Sequence, residues 1–88
     1  MANTRSAQKR IRQSLKRRAR NRTHRSAMRT AVKKLRTAVA EGRADDARAL
    51  LGPTLSIVDA TAQKGIIHGN VADRTKSRLT RAVSALQA

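Results

Sequence analysis

Ten basic side chains fall between residues 5 and 25 with no acid among them: Arg5, Lys9, Arg10, Arg12, Lys16, Arg17, Arg18, Arg20, Arg22 and Arg25. Guanidinium and ammonium groups do one chemistry well. They hold phosphate oxygens, and the planar fork of arginine does so bidentately. Wound as a helix, these residues point around nearly the whole circumference, interrupted only by Ile11 and Leu15. An ordinary solvated helix face mixes signs. A stretch of one sign selects a polyanion.

The other reactive side chains do not assemble into a catalytic set. His24 and His68 lie on different expected elements and outside any ligand spacing of the H-E-x-x-H kind; His68, in the Ile66-to-Asn70 turn, is expected either to donate to a phosphate or to cap a helix. The adjacent carboxylates Asp45 and Asp46 sit at an expected helix start, where they serve as a cap. Gly65 and Gly69 do not form a Walker or dinucleotide loop. Cysteine is absent, which excludes disulfides and thiolate metal sites and fits a reducing cytoplasm. No Ser or Thr has an expected base beside it. The chain is expected to be neither an enzyme nor a carrier of a cofactor or metal.

The elements that must position the basic residues follow from punctuation and periodicity. The first helix is expected from about Arg5 to Ala40, capped by Asn3 or Thr4 and closed by Glu41-Gly42. The second is expected to start near Asp45, whose carboxylate caps it, and to end at Lys64-Gly65, with a kink or restart at Gly52-Pro53. The third is expected to open at Asn70, with Asp73 in a capping-box-like position, and to reach about Leu86. Met28, Val32, Leu35 and Val39 form a narrow stripe opposite Arg29, Lys33 and Arg36. Leu51, Leu55 and Val58, then Leu79, Val83 and Leu86, supply two more stripes.

Three stripes with short connections predict an all-α, antiparallel three-helix bundle. A first helix of about 54 Å, at 1.5 Å per residue, is about twice the length of its partners. Its first half therefore projects as a basic arm. One domain is expected over residues 1–88, with residues 1–25 the arm and 26–88 the bundle. Lys or Arg at i and i+4, as in Arg12, Lys16 and Arg20, repel. The arm is accordingly expected to fray alone and to become helical on RNA.

Composition narrows the partner. The 88 residues carry 21 Lys plus Arg against 5 Asp plus Glu, a net charge of +16. Fourteen of the basic residues, and no acid, lie in residues 1–36. Arg outnumbers Lys by 15 to 6, which favours nucleic acid only weakly because GC-rich coding sequence inflates Arg as well. There is no Phe, Tyr or Trp, so no base-stacking platform is available. No short base-reading helix is evident. What remains is recognition of backbone and shape, and charge on several sides suits a crevice between RNA helices.

No run of about 18 apolar residues is present, so a membrane span is not expected. The N-terminus lacks the apolar segment of a secretory signal, and its charges do not keep to one face as in a transit peptide.

Two stretches resemble a known family. "MANTRSAQKRIRQSLKRRARNRTHRSAMRTAVKKLR" and "KGIIHGNVADRTKSRL" are similar to the bacterial small-subunit ribosomal protein twenty family. The anchors are Ala2-Asn3, Ser6-Ala7 and Lys9-Arg10, then Lys64-Gly65, Ile67-His68, Asn70, Ala72, Arg74 and Lys76-Ser77-Arg78-Leu79. The resemblance implies a cytoplasmic, ribosome-bound monomer that binds small-subunit (16S) ribosomal RNA directly. It further implies contacts with the 5′ domain and the long decoding-region helix, neighbouring small-subunit components, and a role early in assembly at the end away from the head. No membrane or small-molecule substrate is implied.

The expected RNA-binding set is the ten arm residues with Asn3, Ser6, Arg29, Lys33, Lys64, His68, Asn70, Arg74, Lys76 and Arg78. Gly52-Pro53 departs from the family's regular second helix, and Asp73 adds an acid to a basic third helix. A histone-like DNA-compacting protein shares the composition but not the anchors. A membrane-active amphipathic helix would need a continuous apolar face, which residues 5–25 lack.

Overall fold

Residues 5–40 contain neither Gly nor Pro and are rich in Ala, Arg, Lys and Gln, which lose little side-chain freedom in a helix. In the computed structural model, which describes residues 4–87 and side chains as far as Leu86, they form one uninterrupted helix, α1 (Arg5–Ala40). Thr4 caps it: its Oγ1 accepts the Ala7 N–H at 3.1 Å. Asn3, the alternative cap, lies outside the described residues. At the other end Gly42 takes φ +72°. The Gly42 and Arg43 amides then reach back to the carbonyls of Val39 and Ala38, a Schellman turn.

α2 (Ala44–Gln63) ends the same way, with Gly65 at φ +75° and the Gly65 and Ile66 amides on Ala62 and Thr61. A Cβ at Gly65 would meet nothing within 4 Å, so the backbone conformation alone calls for glycine there. Gly65→Ala is therefore expected to destabilise by about 1 kcal/mol, read as a lowered midpoint in thermal denaturation. Gly52 sits inside α2 just before Pro53, where a Cβ on a helical residue would crowd the proline ring, so glycine suits that position as well.

Two expectations about α2 are corrected. Its N-cap is Arg43, and no side chain caps the amides. Asp45 and Asp46 lie inside the first turn, where the helix dipole favours them, and bind Arg48 at 3.5 Å and Arg43 at 3.1 Å. Nor does α2 restart at Gly52-Pro53; it runs through as one helix. Ala49, Gly52 and Pro53 are all exposed, so the carbonyl that Pro53 leaves without a donor faces solvent. Leu51 before the proline and Thr54 and Val58 after it all pack inward.

α3 (Gly69–Gln87) is capped not by Asn70 but by His68, whose Nδ1 accepts the Asn70 N–H at 3.0 Å. The His68 carbonyl accepts from Val71 and Ala72. Asp73 is exposed within the helix and takes no part in a capping box.

The core combines Val32, Leu35 and Ala38 of α1 with Ala47 and Val58 of α2 and Ala72, Leu79 and Val83 of α3. Inward positions alternate steps of four and three (47-51-54-58-61 and 72-76-79-83-86), as in coiled-coil packing. Leu55, expected in the stripe, is only half-buried. The buried alanines and threonines let the helices approach closely. Thr54 and Thr61 each donate to the carbonyl four residues back at 2.7 Å, so neither hydroxyl is buried without a partner.

α2 is the middle helix. It packs along both partners, while α1 and α3 meet only briefly. The molecule measures 62 × 21 × 15 Å, its long axis set by α1. The result is an all-α bundle whose long N-terminal helix projects as a basic arm.

Candidate nucleic-acid interface

From Gln8 to Arg20 every α1 residue is exposed; Asn21 and His24 are half-buried, and packing into the core begins at Met28 and Val32. The part before the core, residues 5–27, is about 35 Å long. Helical geometry sorts its cations into three faces. Arg18, Arg22, Arg25 and Arg29 step by four, three and four to make one ridge, with Asn21 and Ser26 in the groove beside it. Ile11 and Leu15, 51% and 59% exposed, continue the same ridge toward the N-terminus, beside Arg10 and Ser14. Lys9, Arg12 and Lys16 share a second face, turned by roughly 130° from the first. Arg17 and Arg20 share the third with His24. It points to the bundle side, where it meets Lys64 and the Gly65-Ile66 turn.

The acids decide which of these charges are free. Glu41 and Asp46 both bind Arg43, at 2.8 and 3.1 Å. Asp45 binds Arg48 at 3.5 Å, and Asp59 and Asp73 both bind Lys76, at 2.7 and 3.8 Å. All five carboxylates are thus engaged by bundle cations. Among the described residues no cation of α1 forms an ion pair, so the arm carries its charge uncompensated.

The expected site residues divide accordingly. Arg5, Ser6, Lys9, Arg10, Arg12, Lys16, Arg17, Arg18, Arg20, Arg22, Arg25, Arg29 and Lys33 are exposed along α1. Arg74 and Arg78 are exposed on α3, and Lys64 and Asn70 near its start. His68 has its Nδ1 committed to the helix cap. Asn3 lies outside the described residues. Asn21 and Ser26 escape a reading based on charge; their three- and four-residue spacing from Arg18 and Arg22 is the signal that places them beside the ridge.

Lys76 differs from the others. It occupies an inward position of α3, its side chain 30% exposed, and joins α3 to α2 through Asp59. The hydrogen bond to Asp59 raises its pKa above the ordinary lysine range, against the opposing effect of desolvation. A group whose pKa is raised on folding contributes stability that is complete below its unfolded pKa and is lost as pH rises through the folded one. Wild type should therefore lose thermal stability at strongly alkaline pH more steeply than Lys76→Met, as read from melting midpoints across that range.

No helix among the described residues is long and apolar enough to cross a membrane. Nor do those residues contain a group of three or more His, Cys, Asp or Glu placed to hold a metal ion.

Fold and charge together define a class: a small basic helical bundle that displays an unpaired polycationic arm. The sequence model described as Ribosomal protein S20 matches residues 2–84. The "Small ribosomal subunit protein bS20" of Nitrosomonas europaea is 50% identical over 86 residues, covering 98% of this chain and 99% of that one. The proteins of that name in Laribacter hongkongensis (98% and 99% covered) and Aquifex aeolicus (99% and 94%) are 51% and 44% identical. The chain belongs to the ribosomal protein S20 family, as the residue anchors at its two ends led one to expect.

Proposed function

We propose that this protein is a non-catalytic structural constituent of the small ribosomal subunit that binds 16S ribosomal RNA directly and promotes early assembly. One observation carries the reading: every acid is engaged within the bundle, so the cations of α1 are left for an external polyanion. The ridge and the Lys9–Arg12–Lys16 face look in different directions, so the arm cannot use both against one flat surface. Two RNA segments can engage both, and the family resemblance names the 5′ domain and the long decoding-region helix. The protein acts as a monomer in the cytoplasmic ribosome and needs no cofactor.

In this reading the contact set is the exposed basic residues of α1 together with Lys64, Asn70, Arg74 and Arg78, with the arm unit ending near residue 25. The helical form of residues 5–25 is the bound form, and like-charge repulsion frays it in the free protein. Salt dependence does not test this reading, because every phosphate binder shows it. Competition does. Binding to 16S RNA should survive a large excess of duplex DNA, and in a sedimented lysate the protein should travel with small subunits. Equal displacement by DNA, or migration with the nucleoid, would establish a DNA-compacting protein instead.

A further inference from the structure

The third face of the arm does not look outward. Arg17, Arg20 and His24 of α1 confront Lys64 across a concave cleft of about 440 Å³, floored by Gly65 and Ile66. Two guanidiniums, an ammonium and an imidazole line it, and no carboxylate does. These groups come from segments at least 40 residues apart, brought together only by the fold.

One wall is fixed by the bundle. The Lys64, Gly65 and Ile66 amides are all bonded to carbonyls of the last turn of α2, and Ile66 is only 8% exposed. Lys64 therefore stands on a fixed turn. The same bonds leave none of these three amides to donate into the cleft, so a ligand there is held by side chains and not by a backbone nest. The opposite wall is the part of α1 just before it enters the core at Met28 and Val32.

Mutual repulsion of the two guanidiniums and the ammonium is relieved by an oxyanion small enough to touch both walls. We infer that the cleft is a clamp for a single phosphodiester of the RNA backbone, and that its occupancy ties the base of the arm to the α2–α3 turn. The inference rests on the RNA-binding reading above. It adds a defined two-sided site, and it makes Lys64 a determinant of order in α1, a helix to which it does not belong.

A double-mutant cycle on the full chain with a 16S RNA fragment tests it. Arg20→Gln and Lys64→Gln should each weaken binding several-fold. If they hold one phosphate, the double variant should fall short of the product of the two losses by about threefold or more, as for residues sharing a partner. Arg29→Gln with Lys64→Gln, which the structure places on separate sites, should multiply. Lys64→Gln should also reduce the RNA-induced amide-exchange protection of residues 17–24. Multiplicative losses for Arg20 and Lys64, or unchanged protection of residues 17–24, would overturn the clamp while leaving RNA binding intact. If the wild-type chain did not prefer 16S RNA to DNA, the underlying reading would fail instead.

Discussion

Leu35→Ala is expected to destabilise the bundle by about 2–5 kcal/mol, the range for truncating a buried leucine. Leu35 is fully buried and, with Val58, is the largest side chain with no exposure. With no aromatic residue anywhere in the chain, no bulkier side chain is available to fill the space it leaves. The part of α1 before the core adds length but no buried residue, so the core is that of a much smaller domain. Cores of fewer than about 70–80 residues rarely supply more than about 3–5 kcal/mol, so this single truncation rivals the whole. At about 4–8 °C per kcal/mol for a domain of this size, the melting midpoint should fall by at least about 10 °C. Leu79→Asp should leave no cooperative transition, because it places an unpaired charge in the core. Ile11→Ala, at a half-exposed position of the arm, should leave the midpoint where it was. Circular dichroism melts separate these outcomes, and a shift of only a few degrees for Leu35→Ala would mean that the bundle is held by something other than this core.

Much of the fold is legible before any coordinates, and the reasons are specific. Gly42 and Gly65 punctuate a chain with few other breakers, and each takes the left-handed conformation that ends a helix. The stripes Met28-Val32-Leu35-Val39 and Leu79-Val83-Leu86 are built of large apolar residues, which periodicity detects well. The same method passes over Ala38, Ala47, Ala72, Thr54 and Thr61, all buried, since small and hydroxylated residues carry little hydropathy signal. Their burial follows from how closely the helices approach, which is a tertiary property.

The Asp45 and Asn70 caps fail for a related reason, although Thr4 caps α1 as expected. Asp45 and Asn70 are good local choices, but the positions that the turns present are Arg43 and His68. Pro53 is tolerated because packing on both sides outweighs one lost hydrogen bond on the wet face. For the candidate site, the basic residue types and their helical faces are readable from spacing alone. That Lys64 meets Arg17 and Arg20 is not, nor that Lys76 is taken by Asp59, because both depend on where α2 lies.

Replacing Arg18, Arg22, Arg25 and Arg29 together by Gln is expected to move binding and folding in opposite directions. The four guanidiniums line one groove and have no carboxylate partner among the described residues. Each phosphate contact removed should reduce the slope of log K against log salt by about 0.7–0.9, so the four together should reduce it by about 3. At roughly 0.15 M salt that amounts to about two to three orders of magnitude in affinity. Folding should respond the other way. Arg18–Arg22 and Arg25–Arg29 are like charges at i and i+4, and Arg22–Arg25 at i and i+3, each opposing the helix by about 0.2–0.5 kcal/mol. Glutamine forms helix nearly as well as arginine, so the free arm should gain helicity. None of the four side chains is buried, so the melting midpoint of the bundle should not fall. If the ridge only solubilises the arm, the salt slope will stay unchanged while helicity rises; if it is the RNA-facing rail, the slope will drop by about 3 with the bundle intact.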